Sequence, residues 1–262
     1  MIKLHLVSWN RPKMTELVIK TIKRNTTPGS YKLIVWDNGS DQETVDMLKR
    51  LEGEYIHQVI YNPENVGLER ARQELLYTTL ENGDKYIVCI DNDCLPPEVD
   101  EGKDWFDKLL ELMERHPDFA AISMRTQVMI GTGNIFEHAD MNGDDIVEFP
   151  HPGGSFRIMD VVPLLGVGGW ARESGGRGAE ERYIGGKLNE AGYRTAFATN
   201  IQCLHLFGTR DENGTDRWGY DKDLKPEDTG HSDIFHPALQ NGDDQGEIRK
   251  YSGEKLTEEY IC

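Results

Sequence analysis

Short apolar runs alternate with amphipathic segments through the first half of the chain. Apolar runs bounded by polar turn residues are typical of strands in a parallel sheet, and apolar spacing of three and four residues is typical of helices. Strands are predicted at residues 2–7, 33–36, 55–60, 86–90 and 119–124, with helical patterns between them. This regular alternation predicts an α/β fold with a mostly parallel central sheet and right-handed crossovers.

The alternation is lost from about residue 126. A polar, irregular stretch to residue 152 has a turn at 142–145, and an apolar stretch spans 161–167. A glycine-rich loop at 175–178 leads into a predicted helix over 179–191, followed by short strands at 194–198 and 201–206. We expect one domain over residues 1–208, divided at residue 125. Residues 209–262 form an acidic extension, which we expect to belong to the same domain or to be partly mobile.

Charge excludes two classes of partner. The 262 residues include 46 acidic and 29 basic side chains, for a formal charge of −17. Nucleic acids and anionic membranes need a basic surface, so neither is an expected partner. An anionic ligand stays possible, because a metal and a few arginines can reverse the local charge.

Three features favour the cytoplasm. No apolar run approaches the roughly 18–20 residues of a transmembrane helix, and the N-terminus does not resemble a signal peptide. The four cysteines show no Cys-x-x-Cys spacing, which favours reduced thiols in a cytoplasmic protein.

Two carboxylates, Asp91 and Asp93, directly follow the apolar run at 86–90. Ligands of open α/β sheets bind outside the carboxyl ends of the strands. Two aspartates at such an end suit a hard divalent cation whose shell is completed by phosphate oxygens. The alternative is that both side chains cap a turn before Pro96 and Pro97.

Polar residues follow every strand of the first half at the same predicted edge of the sheet. They are Asn10-Arg11, Asp37-Asn38, Asn65 with Arg72, and Asp91 to Asp93. Four such ends together indicate a nucleotide crevice. The glycine pattern of a Rossmann dinucleotide site and the P-loop sequence are both absent, which excludes those two kinds of site. The glycine-rich opening loop of sugar-nucleotide-forming nucleotidyltransferases is missing too.

Six motifs in order resemble glycosyltransferase family 2. They are Ser8-Trp9-Asn10-Arg11-Pro12, Trp36 to Ser40, Asn65-x-Gly67 with Ala71-Arg72, the DXD motif Asp91-x-Asp93, Glu180 to Leu188, and Ala191 to Arg194. The resemblance covers roughly residues 2–207. It implies the GT-A fold, with a Rossmann-like sheet, a nucleotide-binding half over 1–125 and an acceptor and catalytic half over 126–208.

The resemblance also implies donor and metal roles. Asn10 and Asp37 match positions that contact the base and ribose, and Arg72 matches one near the base or diphosphate. The remaining donor-binding positions are Arg11, Asn65, Asn92 and, on the ribose side, Asp91. Asp93 would bind Mn²⁺ or Mg²⁺, and His205 would complete the metal shell.

Two alternatives to His205 as a ligand stay open. His205 could be a buried histidine that is hydrogen-bonded within the sheet. The tail residues His231, Asp233 and His236 could also supply the third ligand, although their loose spacing favours a solvated loop.

Glu181 matches the second acid of the family's acidic pair, the base of inverting members, and Glu180 would help to orient the acceptor. The alternative is that both charges complement a helix dipole. Trp170 with Gly169 lies where relatives contact the acceptor, or Trp170 is simply a core residue. The sequence departs from the family at Glu181, where Asp is common, and at Gln73, where Asn is common.

The sequence thus predicts a metal-dependent, hexosyltransferase-type enzyme that uses a nucleoside-diphosphate sugar, with UDP slightly preferred. The acceptor would be a glycan or another hydroxyl compound. The alternatives are a nucleotide-sugar or carbohydrate-binding protein without transfer activity, or a sugar-phosphate nucleotidyltransferase.

Overall fold

A computed structural model describes residues 1–126, 145–151, 153–170 and 179–206. Within them, nine strands form a sheet in the order β3-β2-β1-β4-β8-β6-β9-β5, with β7 beside β9. The strands are β1 Ile2–Ser8, β2 Tyr31–Asn38, β3 Gln58–Asn62, β4 Tyr86–Asp91, β5 Cys94–Leu95, β6 Phe119–Thr126, β7 Ile146–Glu148, β8 Arg157–Asp160 and β9 Arg194–His205. The helices are α1 Pro12–Asn25, α2 Gln42–Leu51, α3 Leu68–Thr79, α4 Trp105–Arg115, α5 Val161–Gly166 and α6 Ala179–Glu190.

The first four strands form the predicted parallel sheet. β1 pairs in parallel with β2 and β4, and β2 pairs in parallel with β3. The register places Ser8 beside Asp37 and Val7 beside Asp91. The polar strand ends therefore lie at one edge of the sheet, as the sequence predicts.

The second half of the chain adds antiparallel strands, so the sheet contains more antiparallel pairing than the sequence predicts. β8, which the sequence pattern did not predict, lies between β4 and β6 and is antiparallel to both. The two short strands predicted after residue 193 form one strand, β9. Its pairing with β6 shifts between Ser123–Phe197 and Arg125–Gln202. This irregularity explains why the sequence pattern is interrupted there although the strand continues.

Helices cover both faces of the sheet. On β4, Val88 and Ile90 belong to the core cluster that contains α1, α2 and α4, whereas Ile87 and Cys89 pack with residues of α3 and α6. Successive side chains of a strand point to opposite faces, so a strand with two buried faces is apolar throughout. Side-chain caps stabilise helix starts: Asp41 accepts from the Thr44 amide, and Asp104 accepts from the Phe106 and Asp107 amides.

The tail residues 209–262, including His231, Asp233 and His236, lie outside the described residues. The predicted loop at 175–178 lies outside them too, and of the predicted turn at 142–145 only Asp145 is described. The domain boundary at residue 208 stays a prediction. None of the described helices combines the length and the apolar character needed to cross a membrane. Cys89, Cys94 and Cys203 are buried free thiols.

His5 is a buried titratable group in the middle of β1. Its side chain is 3% exposed, and its Nε2 lies 2.8 Å from the hydroxyl of Thr79. Burial, with a further contribution from the charge of Lys3, lowers the pKa of His5 to about 3. His5 is therefore neutral in the folded protein at every pH at which the fold is expected to persist.

This burial predicts acid sensitivity. Below the unfolded-state pKa of about 6.5 the unfolded chain binds a proton at His5 and the folded chain does not. The free energy of unfolding should therefore fall, by up to about 1.4 kcal/mol per pH unit from this group, as the pH drops from 6.5 towards 3. In His5→Gln this contribution should disappear, which urea unfolding at pH 7.5 and pH 5 will measure.

Thr79→Val is the control, because it removes the hydrogen bond and keeps the buried imidazole. It should lower stability and retain the pH dependence. Equal pH dependence in the wild type and His5→Gln would contradict the prediction.

Candidate functional site

Asp93 and His205 meet at the carboxyl edge of the sheet. β5 pairs antiparallel with the end of β9, which places Cys94 beside His205. The Leu206 amide donates to the Asp93 carbonyl at 2.8 Å, and His205 Nε2 lies 3.3 Å from Asp93 Oδ2. Burial lowers the pKa of His205, but the Asp93 carboxylate more than offsets this, so the net shift of the pKa is upward.

A carboxylate oxygen and an imidazole nitrogen at this separation fit a divalent cation. Cys94 Sγ belongs to the same group, and one ligand atom from each of the three residues lies within 4.8 Å of the others. Imidazole and carboxylate are ordinary ligands of divalent transition metals. The Cys94 thiol is fully buried and donates to Ser155 Oγ at 3.1 Å, and burial raises its pKa.

Asp91 is linked both to the interior, through Arg72, and to Cys94, through Ser155. Its Oδ1 accepts from Arg72 Nη2 at 2.7 Å, and its Oδ2 accepts from Ser155 Oγ at 3.4 Å. Its side chain is 27% exposed. Burial raises the pKa of Asp91 to about 6, helped by the charges of Asp93 and Glu181 and opposed by Arg72.

Glu180 lies at the centre of a buried charge cluster. Its Oε1 accepts from Arg72 Nη1 at 2.7 Å, from Arg157 Nη2 at 2.5 Å and from the indole N–H of Trp170. Glu180, Arg72 and Trp170 are each 2% exposed, and Arg157 is fully buried. We call Arg72, Asp91, Arg157 and Glu180 the ion cluster.

The ion cluster shows the surroundings of three residues whose functional roles stay predictions. The Glu180 carboxylate, expected to orient the acceptor, is buried against two arginines. Arg72, expected near the base or diphosphate, bridges Asp91 and Glu180. Trp170, expected either at the acceptor or in the core, is buried.

The backbone conformation and the close approach of α3 explain why residue 169 is a glycine. Its φ is +62°, and a Cβ there would lie 2.6 Å from Gln73 Oε1. That oxygen accepts from the Trp170 amide at 2.5 Å. Gly169 therefore permits a tight turn against α3, and the acceptor contact expected from the sequence stays a prediction.

Asp37 lies near the end of β2, and Asn10 follows the end of β1. Asp37 is 2% exposed, and its Oδ1 has no hydrogen-bond partner within the described residues. Burial raises the pKa of Asp37, and hydrogen bonds from Ser40 oppose that shift. The Asn10 amide donates to Ser40 Oγ and the Asn10 side chain accepts from the Asp41 amide, both at 2.9 Å.

Three other expected donor-binding residues have structural partners. Asn65 Oδ1 accepts from Asn38 Nδ2 and from the Gly67 amide, both at 2.9 Å, and Asn92 donates to Thr15 Oγ1 at 3.1 Å. Arg11 begins α1 in a left-handed conformation with φ of 57°. These contacts order the loops around the crevice, and direct contact with a donor stays a prediction for each.

Glu181 lies in the first turn of α6, next to Glu180. Its Oε2 is buried and, among the described residues, has no hydrogen-bond partner. Its charge contributes to the raised pKa of Asp91, which places it within electrostatic range of that carboxylate. A role for Glu181 as a general base stays a prediction.

Sequence reasoning missed Cys94, Ser155 and Arg157. A signal for Arg157 was available, because a lone arginine interrupts the apolar residues Phe156, Ile158 and Met159. Buried charges are rare unless they are paired, so such an arginine predicts a buried acidic partner. It does not predict which acid.

Comparison with known proteins identifies the fold. The sequence model described as "Glycosyl transferase family 2" matches residues 4–171. A search of curated protein sequences found no match. Among solved structures, the chain is similar to the mannosyltransferase PcManGT from Pyrobaculum calidifontis in complex with GDP-Man and Mn²⁺. That similarity has a TM-score of 0.61 and 15% identity, over 97% of this chain and 70% of that one.

Two further solved structures are similar to this chain. GalNAc-T7 with UDP, GalNAc and Mn²⁺ has a TM-score of 0.62 and 14% identity, over 100% of this chain and 54% of its own. TarS from S. aureus has a TM-score of 0.58 and 12% identity, over 79% of this chain and 37% of its own. The chain thus spans about half or less of these two proteins. At such identities the likeness shows the fold alone, and it confirms the expected GT-A fold.

Substitutions at Gly154 and Gly153 test how rigidly the side chains of the ion cluster are held. A Cβ at Gly154 would lie 2.9 Å from Arg72 Nη2 and 3.0 Å from Asp91 Oδ2. Arg72 cannot yield easily, because it is buried and held by both Glu180 and Asp91. Gly154→Ala should therefore lower the free energy of unfolding by about 1–3 kcal/mol, the usual cost of overpacking, as measured by urea denaturation.

Gly153→Ala is the matched control. Its Cβ would meet only the Phe197 ring, at 3.8 Å, which is ordinary van der Waals contact. Its effect should stay within about 0.5 kcal/mol. Equal destabilisation by the two variants would contradict a rigid contact at Gly154.

Proposed function

Because the chain belongs to glycosyl transferase family 2, we propose that it transfers a hexosyl group from a nucleoside-diphosphate sugar to an acceptor hydroxyl. The observation that carries this proposal is the arrangement of carboxylates at one edge of the sheet. Asp93 approaches His205, and Glu181 keeps an oxygen without a hydrogen-bond partner in the described chain. The Mn²⁺ complexes of two similar structures support a divalent metal.

Asp93 Oδ2 and His205 Nε2 would hold the metal. Mn²⁺ suits this pair better than Mg²⁺, because Mg²⁺ prefers oxygen ligands. When bound, the cation would neutralise charge on the leaving nucleoside diphosphate. Asp91 would stay on the ribose side, because its Oδ1 is held by Arg72.

Asp37 favours uracil as the base. Ser40 hydrogen-bonds to this carboxylate, and the buried Oδ1 has no hydrogen-bond partner among the described residues. One N–H donor would satisfy it, and uracil presents a single N–H between two carbonyls. Guanine presents two adjacent donors and would compete with Ser40, so UDP is the proposed nucleotide.

Glu181 is the proposed general base of an inverting transfer. A hydroxyl is a poor nucleophile until a carboxylate within hydrogen-bond reach takes its proton. Glu181 adjoins the crevice, whereas the Glu180 carboxylate is bound by Arg72 and Arg157. The acceptor would then bind in the half over residues 126–208, and the donor in the half over 1–125. The cytoplasmic location stays a prediction from the cysteine pattern.

The function is tested by product release. With Mn²⁺ and a panel of UDP- and GDP-sugars, we expect the purified protein to release nucleoside diphosphate. EDTA should abolish the release. His205→Ala should raise the Mn²⁺ concentration needed for half-maximal activity by at least about tenfold, because loss of even an outer-shell partner of a metal ligand typically costs that much.

Asp46→Asn, an exposed change on α2, is the control and should leave the metal requirement unchanged. Pyrophosphate release from a nucleoside triphosphate would indicate a nucleotidyltransferase instead. Tight UDP-sugar binding without turnover would indicate a binding protein, and either result would overturn the proposal.

Glu181→Gln tests the base. The amide cannot accept the proton, so kcat should fall by about 10²–10⁴-fold. The dissociation constant of UDP with Mn²⁺ should change little, because Glu181 is not a proposed donor contact. Steady-state kinetics and calorimetry measure the two effects.

Glu190→Gln, at the exposed end of the same helix, controls for loss of a helix charge and should keep full activity. Near-normal kcat in Glu181→Gln would remove Glu181 from the mechanism.

A further inference from the structure

We propose that Arg157 is a positioning residue for the transfer reaction: together with Arg72 it clamps Glu180 and thereby fixes Glu181 relative to Asp91. This inference rests on the proposed function, and it adds a residue that sequence reasoning did not select. Arg157 acts through Glu180 and is not expected to touch donor or acceptor.

The clamp joins the two halves of the chain. Arg72 comes from α3 in the first half, and Arg157 begins β8, where it pairs with Cys89 of β4. Both guanidinium groups donate to the same oxygen, Glu180 Oε1, at 2.7 Å and 2.5 Å. The Trp170 indole donates to that oxygen too. Three donors, from α3, from β8 and from the turn after α5, therefore hold a side chain in the first turn of α6.

The charges of the ion cluster balance. Two arginines face two carboxylates, and Arg72, Arg157 and Glu180 are each at most 2% exposed. A buried charge that loses its partner is strongly destabilising. Each member therefore holds the others in place, and a change at Arg157 reaches Glu181 through Glu180.

The clamp also separates the roles of the two neighbouring glutamates. Burial would raise the pKa of Glu180, but Arg157 and Arg72 reverse that effect and lower it. Glu180 therefore stays ionised and hydrogen-bonded, which suits an anchor. Consecutive Cα atoms are about 3.8 Å apart, so the anchoring of Glu180 restricts Glu181, whose own Oε2 has no partner in the described chain.

Arg157→Met is the test, with Arg157→Lys as the conservative variant. Misplacing a catalytic group by about 1 Å can cost about a hundredfold in rate. We expect kcat in Arg157→Met to fall by about 10–100-fold, while the dissociation constant of UDP with Mn²⁺ stays within about threefold. Arg157→Lys retains the charge and should recover part of the kcat.

Arg24→Met is the matched control. Arg24 forms an exposed ion pair with Glu98 at 2.8 Å, and its loss should change neither kcat nor UDP binding. A normal kcat in Arg157→Met would overturn the inference. A parallel loss of UDP binding and kcat would overturn it too, because that indicates general damage.

A double-mutant cycle covers the case in which Arg157→Met folds poorly. Glu180→Gln removes the charge that Arg157 neutralises, so the double variant Arg157→Met/Glu180→Gln should be no less active than Glu180→Gln alone. Its thermal midpoint should exceed that of Arg157→Met. Additive losses in either quantity would show that the two residues act independently.

Failure of this inference is distinguishable from failure of the proposed function. The thermal midpoints of the cycle need no substrate, and UDP binding with Mn²⁺ needs no turnover. If the thermal midpoints show that Arg157 and Glu180 are coupled but the wild-type protein transfers no sugar, the transferase proposal is rejected, and the positioning role of Arg157 with it. If the wild type transfers sugar but the two residues are not coupled, only the clamp is rejected.

Discussion

Electroneutrality of the ion cluster is the constraint on which the site depends. Arg72, Arg157 and Glu180 are removed from water, so each charge must meet an opposite charge at hydrogen-bond distance. Meeting that requirement brings α3, β8 and α6 together beneath the end of β4. The same contacts leave Asp91 partly exposed at the crevice. The stability of the interior and the geometry of the crevice therefore share one set of interactions.

The two aspartates of one motif lie in different surroundings. Asp91 ends β4 and is bound inward by Arg72, whereas Asp93 is carried past the sheet edge and meets His205 through the pairing of β5 with β9. That pairing joins the first half of the chain to the end of the described residues. The candidate metal ligands Asp93 and His205 therefore come from both halves of the chain.

The sequence predicted the fold well where local pattern and burial agree. Strands with two buried faces are apolar throughout, so β1, β2, β4 and β6 were recognisable, and Pro12 is suited to the first position of α1. β8 was missed because Arg157 interrupts its apolar pattern. β9 was divided because its pairing with β6 is irregular. In both cases a tertiary contact overrides the local pattern.

The sequence by itself determined the order of the motifs, the parallel half of the sheet and the sheet edge at which Asp37, Asp91 and Asp93 emerge. These follow from strand periodicity and the polarity of strand ends. Only the tertiary structure decided what each polar group contacts. Glu180 and Trp170 became interior residues because a buried arginine, distant in sequence, required an acid, and that pairing depends on three-dimensional proximity that no local pattern encodes.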